Sequence, residues 1–90
     1  MMGTKKETGL NILDALASMN LTIAELARLS GISETSIYGY IHGLYYPSME
    51  RLVTMSQILG VSPFDLLASR KGVTNVFRAK NKNKDLQINQ

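Results

Sequence analysis

Apolar residues recur at three- and four-residue spacings along most of the chain, and no stretch sustains an apolar–polar alternation, so the pattern predicts helices and no sheet. Leu10, Leu13, Leu16 and Ala17 supply one apolar face to a first helix, which starts after Thr8 or Gly9 and runs to about Met19. A second helix is punctuated more sharply. Thr22 and Glu25 stand three apart as a capping box, and Leu21 is placed to staple back onto Leu26, predicting a helix from about Ile23 to Leu29. Gly31 tolerates the positive φ of a tight turn, Ser33 offers its hydroxyl as N-cap to a third helix from about Glu34 to His42, and Gly43 ends it.

The segment "YPSMERLVTMSQILGVSP" repeats this logic. Ser48 caps a fourth helix, Glu50 suits its positive dipole end, Leu52, Met55 and Leu59 form the buried stripe, and Gly60 stops it. Met49 and Met55 are both expected in the core. In "SPFDLL", Ser62 caps a fifth helix with Pro63 at its first position and Asp65 as the box partner. The expected fold is therefore all-α, a five-helix bundle, because connections this short leave few other arrangements. Residues 1–9 read as a flexible N-terminal arm and 10–70 as the folded domain. Residues 71–90 read as a basic, largely flexible tail, in which Val73, Val76 and Phe77 pattern a short strand or docking segment at 73–79.

Ninety residues suffice for one core. The chain has no cysteine, which excludes disulfides and thiolate metal sites and suits a reducing cytoplasm. No apolar run approaches the roughly 20 residues that span a bilayer, so no membrane role is expected. His42 is the only histidine, which leaves no set of metal ligands, and Ser33 and Ser36 have no His–acid partner that would activate a nucleophile. Neither catalytic residues, nor a metal, nor a cofactor is expected. The net charge of +3 lies at the ends: residues 71–90 carry five cations against Asp85, whereas 10–70 carry three arginines against five acids.

The run "LTIAELARLSGISETSIYGYIHGLYYPSMERLVTMSQILGVSPFDLL", residues 21 to 67, resembles the Cro/phage-repressor family of helix-turn-helix domains. Leu26 and Ala27 fall inside helix two, Gly31 at the turn, Ile32 just after it, and Ile37 and Tyr40 on the inner face of helix three. A side chain larger than that of Ala27 would collide where two such helices cross at roughly 90 to 120°. The resemblance implies that helix three enters the major groove of DNA while helix two crosses the backbone. It points to Glu34, Thr35 and Tyr38 as groove-facing, with Gly39 at another position that usually carries a reading side chain. Glu34 can accept from a cytosine amino group, and Thr35 can bond a base or touch a thymine methyl. Thr22 and Ser33, with the amides that start helix two, are implied sugar–phosphate contacts, as are His42 and Tyr45 on either side of Gly43.

The function implied is a sequence-specific regulator of transcription that binds double-stranded DNA as a homodimer on an inverted repeat, paired through helix five and residues 70 to 79. Attraction to phosphates would come from Lys5, Lys6, Arg28, Arg51, Arg70, Lys71 and the tail, because the groove helix itself is nearly uncharged. The net-negative body, Gly39 and the "LYY" loop favour an alternative: a protein-interaction module, antirepressor- or antitoxin-like, whose tyrosine-rich face binds a protein regulator.

Overall fold

Each of the five helices among the described residues begins on a hydroxyl. In the computed structural model, which describes residues 2–70, Thr4, Thr22, Ser33, Ser48 and Ser62 each accept a hydrogen bond from the backbone N–H three residues on. These caps satisfy donors that the first turn of a helix otherwise leaves without partners. They start α1 (Lys5–Met19), α2 (Ile23–Ser30), α3 (Glu34–Ile41), α4 (Met49–Leu59) and α5 (Pro63–Leu67). The all-α, five-helix architecture read from the pattern is the one observed. The capping boxes at Thr22/Glu25 and Ser62/Asp65 form as expected, and Gly31 adopts φ 75°.

The first helix departs from expectation at its start. Thr4 and Glu7 close a capping box of their own, so residues 5–9, read as part of a flexible arm, are helical. The buried stripe shifts with the added turn to Thr8, Gly9, Ile12, Ala15 and Leu16. Leu10, Leu13 and Ala17, expected on the inner face with Leu16, are exposed, because the helix turns Ile12 and Ala15 inward instead.

Residues 2–4 are held as well. The Gly3 N–H donates to the Leu67 carbonyl at 2.6 Å, and the Tyr46 hydroxyl donates to the Gly3 carbonyl at 2.7 Å. The Asn11 side chain donates to the carbonyls of Leu66 and Ala68, at 3.0 and 2.9 Å, and so caps the end of α5. Arg70 then folds back onto α1, donating to Asp14 at 2.6 Å and to the Asn11 carbonyl oxygen at 2.9 Å. The basic tail, with the strand expected at 73–79, lies outside the described residues.

Ile12, Leu16, Leu26, Ile37, Tyr40, Leu52, Met55, Leu59 and Leu66 make one continuous core. Met49, expected there, is 61 % exposed. Helical side chains lean toward the N-terminus, so one at the first helical position overhangs the end of α4 and the stripe begins only at Leu52. The core fixes α3 by one face only: Ile37 and Tyr40 are buried while Glu34, Thr35 and Tyr38 are left outside.

Candidate nucleic-acid interface

α2 ends at Ser30, the chain turns through Gly31, and Ile32 enters the core before Ser33 caps α3. This three-residue connection sets two short helices in contact and presents the start of α3 at the surface. Ser33, Glu34 and Thr35 are exposed there, and Tyr38 follows one turn later with 45 % of its surface open. Tyr38 and His42, four apart on the same face, lie with their rings nearly parallel, centroids 6.2 Å apart. Glu34, Thr35, Tyr38 and His42 therefore form one outward row.

Thr22 and Ser33 are both exposed, but their hydroxyls already have work. Thr22 Oγ1 accepts from the Glu25 N–H at 3.1 Å and donates to the Glu25 carboxylate at 3.2 Å. Ser33 Oγ accepts from the Ser36 N–H at 3.1 Å and donates to Ser36 Oγ at 3.0 Å. The groups left over at these helix starts are the amides of Ile23 and Ala24 and of Glu34 and Thr35, the positive dipole ends at which anions bind.

α3 ends in a Schellman turn. The Gly43 N–H donates to the Tyr40 carbonyl at 3.1 Å and the Leu44 N–H to the Gly39 carbonyl at 2.9 Å, with Gly43 at φ 74°. The turn folds the following loop back along the helix. Tyr45 meets the ring of Tyr40 edge-on, centroids 5.5 Å apart, and its phenol lies over Gly39. Gly39 is consequently buried and does not face outward as read from the sequence. Of the two loop tyrosines, Tyr46 is half-buried on Gly3 and Tyr45 is exposed.

Two cationic features flank this surface. The buried Tyr40 points its hydroxyl at Arg51, whose guanidinium donates to it at 2.8 Å and is held above the ordinary arginine pKa by that bond. The signal for it was available in the sequence: a tyrosine placed in the core needs a partner for its hydroxyl. Lys6 backs onto Gly43, where a β-carbon would stand 3.1 Å from its Cα, so Lys5 and Lys6 sit beside the end of α3. Arg70, by contrast, is engaged by Asp14 and Asn11 and is withdrawn from the set of phosphate anchors.

A helix-turn-helix family model matches residues 12–66, well over half of the chain. The chain belongs to the Cro/phage-repressor helix-turn-helix family. Members of the family are transcriptional regulators. Solved structures of similar fold include the restriction-modification controller protein C.AhdI from Aeromonas hydrophila, at 21 % identity and TM-score 0.66, covering 70 % of this chain and 96 % of that one. The clp gene regulator ClgR from Corynebacterium glutamicum matches at 23 % identity and TM-score 0.69, covering 91 % and 87 %. A complex of the SinR and SinI proteins matches at 19 % identity and TM-score 0.66, covering 91 % and 82 %. No match was found among curated proteins. Likeness at these identities is likeness of fold, and this Cro/phage-repressor domain shares its helical frame with them.

Proposed function

We propose that this chain is a cytoplasmic, sequence-specific regulator that binds double-stranded DNA as a homodimer, with Thr22, Ser33, Glu34, Thr35, Tyr38, His42 and Tyr45 in the contact set. The observation that carries the reading is the uncovered row Glu34, Thr35, Tyr38 and His42 on a helix whose opposite face is buried. Glu34, Thr35 and Tyr38 read base edges, and the free amides at the starts of α2 and α3 hold phosphates with Thr22, Ser33 and His42 around them. Arg51, Lys5 and Lys6 add charge at the flank. Two such helices in a symmetric dimer would meet half-sites about one helical turn, roughly 34 Å, apart. The surface of Met2, Phe64, Leu67 and Ala68, edged by Asp65 and with Phe64 78 % exposed, supports pairing through α5.

Selection of bound duplexes from a random pool tests the reading. It expects a recovered inverted repeat, with Thr35→Ala and Tyr38→Ala losing discrimination between sites more than nonspecific affinity. Equal loss on all sequences would count against base reading.

A second reading rests on Leu44, 65 % exposed beside Tyr45, and on a described body whose six acids outnumber its five cations. On that reading the same face binds a protein regulator. Indifference to duplex DNA at low salt, with a protein partner retained on purification, would favour it.

A further inference from the structure

Gly39 lies four residues after Thr35 on α3, one turn above it, at the edge of the outward face where the Tyr45 loop covers the helix and buries the glycine. A glycine leaves that second level without a side chain. The space is filled all the same: the Tyr45 phenol, returned by the Schellman turn, lies where a β-carbon of residue 39 would be, with the hydroxyl oxygen nearest that point, Cζ next and Cε1 2.8 Å away. Tyr45 is 43 % exposed, and its hydroxyl forms no hydrogen bond among the described residues, unlike those of Tyr40 and Tyr46.

We infer that Tyr45 supplies the reading side chain that position 39 lacks, its hydroxyl hydrogen-bonding one base edge in the groove above the level of Thr35. The inference rests on the DNA-binding reading and changes the role of Tyr45 within it, from a phosphate contact to a determinant of sequence. A phenolic hydroxyl donates and accepts, so it is competent toward any base pair, and its partner is set by where the ring is held. The ring is held from two sides, by the bare backbone of Gly39 beneath and the edge of Tyr40 beside it. Arg51 fixes Tyr40 in turn. Glycine at 39 is then a seat for the tyrosine, since any β-carbon would evict it.

The test compares sequences selected from a random duplex pool by the wild-type chain, Tyr45→Phe and Gly39→Ala. Tyr45→Phe keeps the ring and removes only the hydroxyl. It should lose roughly fivefold of preference, the worth of one hydrogen bond, at a single base pair in each half-site. Gly39→Ala, which displaces the ring, should relax the same base pair. An unchanged consensus with Tyr45→Phe would overturn the inference, as would a uniform loss of affinity with a shallower salt dependence, the mark of a phosphate contact. Failure of the wild-type chain to select any sequence would instead sink the DNA-binding reading beneath it.

Discussion

Gly9 of α1 lies against the carbonyl of Tyr40 in α3: a β-carbon built on it would stand 2.5 Å from that oxygen and still nearer the carbonyl of Ile41. At an exposed site inside a helix, alanine would be better than glycine by about 1 kcal/mol. Here the clash is with backbone, which has no rotamer to yield. Gly9→Ala is expected to lower stability by about 2 kcal/mol, a fall of roughly 10 °C in Tm for a domain of this size. Thermal unfolding followed by circular dichroism measures it, and a raised Tm would mean that the two helices part freely.

Thr8, the neighbour of Gly9, is 1 % exposed, and its hydroxyl has no hydrogen-bond partner among the described residues. Valine has the same branched shape without the polar group. Thr8→Val should therefore stabilise the fold by about 1 kcal/mol, the reverse of the usual outcome for a core substitution. Denaturant titration would show a higher midpoint with an unchanged slope.

Asn11 and Asp14 both reach the segment after α5, yet they should differ in worth. The Asp14–Arg70 pair is exposed, so Asp14→Ala should cost less than about 1 kcal/mol and less still in high salt. Asn11→Ala strips partners from the Leu66 and Ala68 carbonyls in a partly buried site and should cost about 1 to 3 kcal/mol. Equal costs would show that the polar cap contributes no more than the ion pair.

The Glu7 carboxylate accepts the Thr4 N–H, chiefly for which reason its pKa is held below the ordinary 4.5, and the Arg70 N–H adds to the effect. A carboxyl whose pKa is lowered on folding gives stability that is fully present above its ordinary, unfolded value and is lost as the pH falls from there through the folded one. The Tm of the wild-type chain should accordingly drop more between about pH 6 and pH 3 than that of Glu7→Gln, which keeps the cap geometry without the charge. Parallel curves would count against a role for the ionised form.

Local signals were legible and returning ones were not. Thr22 with Glu25, Gly31, Ser33, and Ser62 with Pro63 act on backbone within a turn of themselves, so their spacing suffices to place α2, α3 and α5. Thr4 and Glu7 carry the same signature in "TKKE", but Leu10 and Leu13 suggested a later start and a stripe on the wrong side of α1. The burial of Gly39 under Tyr45 depends on a loop coming back across the helix, and no periodicity in α3 encodes that. The outward direction of Tyr38 was readable from the inward direction of Ile37 and Tyr40; the committed state of Arg70 required knowing that α5 delivers it to α1.

The bond from Gly3 to Leu67, with Tyr46 bridging onto the same glycine, stitches the two extremities of the described domain together. Polypeptide grafted ahead of Met2 and polypeptide grafted beyond Arg70 thus leave from a single corner, and two bulky attachments would jostle for the same room.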